Sequence, residues 1–102
     1  MRTYTRTDII RNVSDDLDIP EVKTRQILDS ILGTMEEMLT EARSRTRIEL
    51  RNFGVFEVKP AKAVPKARNP RTNEVIFVPS RRKIHFKVGK KIRDVLKREW
   101  KS

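Results

Sequence analysis

The 102-residue sequence contains no cysteine, one histidine, one tryptophan, one tyrosine and three glycines. Without cysteine there is no disulfide framework, no thiol nucleophile and no Cys-based zinc site. His85 is the single histidine and no glycine-rich phosphate loop occurs, so we predict no enzyme, no metal site and no cofactor. No apolar run approaches the length of about 20 residues that a membrane-spanning helix needs, and the first residues lack the apolar stretch of a secretory signal. We therefore expect one soluble, cytosolic domain without membrane contact.

Acidic residues are scarce in the second half of the chain. Residues 1–58 carry nine Lys or Arg and eleven Asp or Glu, whereas residues 59–102 carry fifteen basic residues and three acidic ones. The net charges of the two parts are therefore −2 and +12, within an overall charge of +10. Uncompensated blocks of like charge are typical of segments that bind a polyanion. The second half is thus predicted to contact nucleic acid.

Two amphipathic helices are predicted in the first half. Thr5, followed three residues later by Asp8, is typical of a capped helix start, and apolar residues then recur at helical spacing up to Leu17. The segment before Pro20 interrupts this pattern, and proline is well tolerated where a helix begins. A second helix is expected over about residues 20–42, because its apolar residues form a regular i, i+3/i+4, i+7 stripe. Together these segments predict a helical hairpin.

The apolar period changes to that of strands at Ile48. Alternation runs through residues 48–58, and Arg51-Asn52 lies where a tight reversal is needed, since Asn tolerates positive φ. Gly54 indicates a bulge or a close backbone approach. We interpret Phe53 and Phe56 as core residues. A further strand is predicted over 84–88, followed by a short C-terminal helix over 90–100 with Ile92, Val95 and Leu96 facing inward.

Residues 59–83 lack the apolar content of a packed segment and are called the arm below. The arm contains four prolines, basic residues on both sides and few apolar residues apart from 75–78. Asn69-Pro70-Arg71-Thr72-Asn73 is the strongest turn signal, because Pro is preset for a turn and Asn accepts a left-handed conformation. The arm is therefore predicted to be two strands that meet at a tip near Pro70.

The remaining body, residues 1–58 and 84–102, has more apolar surface than its few elements are able to cover. Leaving the helical stripe in water would forfeit about 25 cal/mol per Å² of apolar area. We therefore expect an α+β fold in an intertwined dimer: a helical-hairpin base, a three-stranded antiparallel sheet extended into a protruding β-ribbon arm, and a short C-terminal helix.

Three motifs make the sequence resemble the family of HU and integration host factor, the bacterial histone-like DNA-bending proteins. They are I-E-L-R-N-F-G-V-F at 48–56, R-N-P at 68–70 and H-F-K-V-G-K at 85–90. The order of elements matches over the whole chain. The resemblance implies a homodimer or a heterodimer with a related subunit, associated with the nucleoid. It also implies that two arms lie in the minor groove of double-stranded DNA and that a proline at each tip kinks the duplex; this family is a standard example of that mode.

The resemblance also implies the residues that touch DNA. Pro70 would be the intercalating wedge, with Arg68 and Asn69 beside it in the groove. Arg51, with Glu49, falls at a turn linked to partial sequence preference. The other expected DNA-binding residues are basic positions of the arm (Lys59, Lys62, Lys66 and Arg71) and phosphate contacts of the body and its flanks (Arg81, Arg82, Lys83, Lys87, Lys90 and Lys91).

The sequence departs from the common family pattern in the arm. Ala67 and Asn73 stand where glycines are usual, and lysines replace the usual arginines. Pro60 and Pro65 are additional, and the segment between Phe56 and Arg68 is one residue longer than usual.

These features predict an architectural protein that binds DNA non-specifically or by shape, since the minor groove offers only a degenerate pattern of bases. An RNA-binding or ribosome-associated protein is the main alternative. RNA readers usually expose aromatic residues for base stacking, and Phe77 is the one candidate on the arm. A helix-turn-helix protein is disfavoured because the two helices are acidic.

Overall fold

The structure is a computed structural model in which residues 1–98 are described. Along the chain it contains α1 (Arg6–Leu17), α2 (Glu21–Thr40), β1 (Thr46–Leu50), β2 (Gly54–Ala61), β3 (Val64–Arg68), β4 (Val75–Val78), β5 (Arg81–Val88) and α3 (Lys90–Leu96). The α+β class predicted from the sequence is confirmed. The chain divides into two compact units, Met1–Met38 and a second that begins at Leu39.

The first helix begins at the cap that the sequence predicts. The Thr5 backbone N–H and hydroxyl both donate to Asp8 Oδ2, at 2.7 and 3.0 Å. These two hydrogen bonds stabilise the carboxylate and hold the pKa of Asp8 below its ordinary value of 3.8. The helix ends at Leu17, and Asp18, which caps it, has a left-handed φ of 54°.

The first unit is the predicted helical hairpin. Arg6 pairs with Asp29 at 3.0 Å and Arg11 with Glu21 at 3.7 Å, so α1 and α2 run antiparallel. Ile10 is 2% exposed and lines a small apolar cavity together with Val13 of α1 and Ile27 of α2. Both ion pairs are largely exposed and contribute little to stability; the apolar contact between the helices matters more.

The second unit contains an antiparallel sheet in the order β1-β2-β5. The β1–β2 turn forms at Arg51-Asn52, as predicted: Asn52 has φ 68° and the Phe53 N–H donates to Leu50 O at 2.9 Å. β5 begins at Arg81, three residues earlier than the strand predicted from Ile84. Its first three residues are all basic, so they show no alternation of apolar and polar residues that would predict a strand.

Each face of this sheet has its own chemistry, because neighbouring residues of a strand point to opposite sides. Cross-strand partners on one face include Ile48↔Phe56↔Phe86 and Val58↔Ile84. This apolar face carries an aromatic cluster, with ring centroids 4.7 Å apart for Phe56–Phe86 and 5.7 Å for Phe53–Phe86.

The prediction that these rings are core residues holds only in part for the single chain. Phe56 is half-buried, but Phe53 and Phe86 remain 49% and 40% exposed. The rings contact one another within the second unit.

The C-terminal helix is shorter than predicted among the described residues, since α3 ends at Leu96. Of the three apolar residues predicted to face inward, Ile92 is half-buried, whereas Val95 and Leu96 are 49% and 72% exposed in the single chain. A seven-residue helix has too few contacts to bury all three of its apolar positions. Residues 99 and 100 of the predicted helix lie outside the described part of the chain.

The arm contains a second, two-stranded sheet, in which β3 pairs with β4. This hairpin is inserted between β2 and β5, whose own pairing continues to Ala61↔Arg81. Its register shifts by one residue between the pairs Val64↔Val78 and Ala67↔Ile76, which marks a bulge in β3. Within residues 1–98 no helix is long and apolar enough to cross a membrane.

Candidate nucleic-acid interface

The tip of the arm is an ordered turn. The Asn69 N–H donates to Glu74 O at 2.8 Å, and the Asn73 N–H donates to Asn69 O at 2.7 Å. Asn69 Oδ1 accepts the Arg71 N–H at 2.9 Å, which is the local side-chain bond that suits Asn at a turn. Asn73 has φ 63°, so it adopts the left-handed conformation that the turn requires. Pro70 is exposed at this tip.

Cations line the hairpin beside the tip. Lys62, Lys66, Arg68 and Arg71 are all exposed. Arg68 donates to Asn73 Oδ1 at 3.2 Å across the turn. Among the described residues, no acidic group forms an ion pair with any of these four cations. Their charges are therefore available to an external anion.

The face of the β1-β2-β5 sheet opposite the aromatic cluster is here called the basic face; it carries Arg47, Lys59, Arg81, Lys83 and Lys87. Four of these residues are in the set predicted from the sequence, and the sheet brings them together. Lys59 and Lys83 are direct cross-strand partners. Like charges in that position repel each other, and an anion bound over this face would relieve the repulsion.

Glu57 partly compensates the basic face. Its side chain is 11% exposed, and its Oε1 lies 3.5 Å from Arg45 Nη2 and 3.8 Å from Lys59 Nζ. Arg47 is bound similarly by Glu49 at 3.1 Å. Glu49 and Glu57 are two carboxylates against the five cations of the basic face, which therefore keeps a net positive charge.

Two further predicted residues meet at the other end of the sheet. Arg51 in the β1–β2 turn and Lys91 in α3 line one groove of about 420 Å³. The floor of the groove is apolar, formed by Phe53, Ile92, Val95 and Leu96. Lys90 precedes Lys91 as the first residue of α3 and is exposed.

Arg82 is separated from the rest of the predicted set. It pairs with Pro60 across β2 and β5, which places it on the apolar face. Its Nη1 donates to the backbone oxygens of Thr40 and Ala42, both at 2.7 Å. Its role in DNA binding stays a prediction, but its guanidinium is already engaged within the chain.

Sequence reasoning missed two cations. Arg45 and Arg47 belong to the half of the chain with a net negative charge, yet the pairing Arg47↔Glu57↔His85 places Arg47 on the basic face, and Arg45 contacts Glu57 there. The alternation of Arg47 with Ile48 was the available signal, because a residue next to an inward apolar residue faces outward.

A basic α+β chain with a cationic hairpin inserted in its sheet has clear relatives. A family model described as bacterial DNA-binding protein matches residues 4–97. Integration host factor subunit alpha of Haemophilus influenzae is 34% identical over 93 residues, covering 91% of this chain and 93% of that protein. DNA-binding protein HU of Staphylococcus aureus is 29% identical over 92 residues, covering 90% and 98% respectively.

The fold is shared with a solved structure as well. A cocrystal structure of Anabaena HU with DNA matches with a TM-score of 0.79 at 25% identity, over 94% of this chain and 100% of that chain. The chain therefore belongs to the bacterial DNA-binding protein family of HU and integration host factor. The family resemblance inferred from the three sequence motifs is confirmed.

Proposed function

We propose that this protein binds double-stranded DNA through the minor groove and bends it by inserting Pro70 between base pairs. The observation that carries the proposal is the arm: an ordered tip with an exposed proline, flanked by four exposed cations that no carboxylate neutralises in the described structure. The relatives named for DNA binding, and the Anabaena HU cocrystal with DNA, support the same ligand.

Electrostatic attraction supplies the affinity. Each phosphate that a Lys or Arg neutralises releases counterions, so binding weakens steeply as salt rises and depends little on base identity. The arm cations and the basic face are joined through the continuous β2–β5 pair, which runs from Gly54↔Val88 to Ala61↔Arg81. DNA that follows both surfaces would gain contacts by bending, and these contacts offset a deformation cost on the order of 1–6 kcal/mol.

Pro70 suits the role of a wedge for a physical reason. Its ring has little conformational entropy to lose on insertion, and the hydrogen bonds of Asn69 and Asn73 hold the turn that presents it. Arg68 and Asn69 lie immediately beside it for contact with groove edges. Selectivity then comes from how readily a duplex kinks, so the protein acts non-specifically or by DNA shape.

The functional unit in this proposal is a dimer. Among described residues, only Ile10, Ala42 and Val58 are buried hydrophobic residues, whereas Ile27, Ile31, Phe53 and Phe86 are 40–51% exposed. A second chain that covers these surfaces would complete the core and bring a second arm to the same duplex. Such a protein would act on the bacterial nucleoid, in the cytoplasm.

The wedge is tested by Pro70→Ala on a duplex labelled at both ends for energy transfer. Without the proline ring, most of the protein-induced bend of the duplex is expected to disappear. Affinity should change by less than about tenfold, because the lost contact is offset by the free energy that unstacking the base pairs no longer costs. Pro79→Ala is the control, since it removes a proline from the arm between β4 and β5 but not from the tip. A wild-type bend in Pro70→Ala would rule out the wedge.

One observation favours the alternative ligand, RNA. Phe77 in β4 is 63% exposed, and exposed aromatics on a basic surface stack on unpaired bases. Competition between a bent or nicked DNA duplex and a structured RNA of equal length separates the two. Preferential displacement of DNA by the RNA, together with loss of RNA binding in Phe77→Ala, would establish the alternative.

A further inference from the structure

Arg82 lies where a DNA-contacting arginine would not be expected. Residues 81–88 alternate between the two faces of the sheet, and Arg82 shares the apolar face with Ile84 and Phe86, while Arg81 points to the basic face. The Arg82 guanidinium reaches across 40 and 42 positions of sequence to the carbonyls of Ala42 and Thr40, at 2.7 Å each.

A cation is favourable at the C-terminal end of α2. The last turn of α2 contains no basic residue, and Glu36, Glu37 and Glu41 lie in or next to it. Carboxylates are unfavourable near the negative end of a helix dipole, and carbonyls there lack intrahelical donors. Arg82 brings a positive charge and two charge-assisted hydrogen bonds to this position.

The position of Arg82 within β5 is equally significant. Its cross-strand partner is Pro60, one pair before the β2–β5 ladder ends at Ala61↔Arg81 and leads into the arm. The bonds from Arg82 to Thr40 and Ala42 fix β5 at that same point.

We infer that Arg82 is a positioning residue, which caps the end of α2 and thereby holds the base of the arm, and that Arg81 is the phosphate contact of the pair. The part that concerns DNA rests on the proposed function. Of the two adjacent arginines, Arg82 therefore contacts the chain itself and Arg81 contacts DNA.

The test compares Arg82→Gln with the matched neighbour Arg81→Gln, which removes the same charge from the opposite face. We expect Arg82→Gln to lower the melting temperature by about 5 °C or more, as loss of a charge-assisted cap does in a domain of this size. The slope of log affinity against log salt should stay at its wild-type value. Arg81→Gln should leave the melting temperature within about 1 °C and reduce that slope by about one.

Arg82→Lys and the bend itself distinguish positioning from mere stability. Lys keeps the charge and N–H donors, so it should recover at least half of the lost melting temperature. Well below all melting temperatures and at saturating protein, energy transfer across the labelled duplex should fall in Arg82→Gln and recover in Arg82→Lys. Arg81→Gln should saturate at the wild-type value.

Two results would overturn the inference. A salt slope reduced by about one in Arg82→Gln, with an unchanged melting temperature, would make Arg82 a phosphate ligand. A lower melting temperature with wild-type energy transfer would leave it a stabilising residue that positions nothing.

If Arg82→Gln does not fold, the comparison of Arg82→Lys with wild type carries the test. A wild-type protein that fails to bind DNA would instead defeat the proposed function, because the melting comparison involves no DNA.

Discussion

Gly54, the first residue of β2, lies too close to β5 for any side chain. A Cβ built at this position would be 2.6 Å from the backbone oxygen of Lys87 and 2.6 Å from two ring atoms of Phe86. The backbone of Gly54 has no positive φ, so close approach and not conformational freedom requires glycine here. Of the two roles that the sequence predicted for Gly54, the close approach is confirmed.

Gly54→Ala is therefore expected to destabilise the protein by about 1–3 kcal/mol, as overpacking of a filled site does. The displaced groups would be a strand backbone and a ring of the aromatic cluster. Chemical denaturation monitored by circular dichroism measures the change.

Gly33→Ala is the control, because a Cβ there meets no atom within 4 Å and α2 gains helix propensity. It should be neutral or stabilising by up to about 1 kcal/mol. Equal stability of Gly54→Ala and wild type would show that β2 and β5 separate easily at this point.

At the scale of the element, the arm is distinguished by its bulge. In a regular strand Lys66 would lie opposite Ile76, since Val64 pairs with Val78; instead the register shift places Ala67 opposite Ile76 and Arg68 opposite Val75. The extra residue that the sequence shows between Phe56 and Arg68 coincides with this shift. The bulge thus keeps Arg68-Asn69-Pro70 in register with the turn.

Lys66 lies in this bulged strand, exposed and without an ion-pair partner among residues 1–98. Lys66→Ala should reduce the salt slope of DNA binding by about one and weaken binding uniformly across sequences. Titration of a fluorescent duplex at several salt concentrations measures both. Lys66→Arg keeps the charge and should retain the wild-type slope; the same slope in the alanine variant would remove Lys66 from the phosphate contacts.

The helices, the β1–β2 turn and the tip follow from local signals and could be predicted from the sequence. Thr5 with Asp8, Asn52 and Asn73 each act through bonds or torsions within a few residues. The bulge and the Arg82 contact could not be predicted, because both depend on register between strands distant in sequence. Arg82 is an even number of residues from Ile84 and Phe86 in β5, which indicated that it lies on the apolar face of the sheet. No local signal indicated that α2 ends beside it.

At the scale of the whole molecule, exposed apolar surface is the dominant fact. Leu17 and Val22 in the first unit, and Ile84 and Leu96 in the second, are 58–72% exposed. Scattered single hydrophobic residues are normal on a protein surface. Here, however, they continue the helical stripe and the apolar face of the sheet, which are the surfaces that a domain of this size needs for its core.

We therefore expect folding and association to be one equilibrium. Sedimentation at micromolar concentration should report a dimer, and the dimer should gain about 1.4 kcal/mol for each tenfold rise in concentration. For a dimer of this size that gain raises the melting temperature by about 3–6 °C.

Ile31→Lys, in the apolar stripe of α2 at 51% exposure, should shift the protein toward unfolded monomer. Glu37→Gln, off that stripe, should not. A compact monomer whose melting temperature is independent of concentration would contradict the shared core, and with it the arrangement in which two arms act on one duplex.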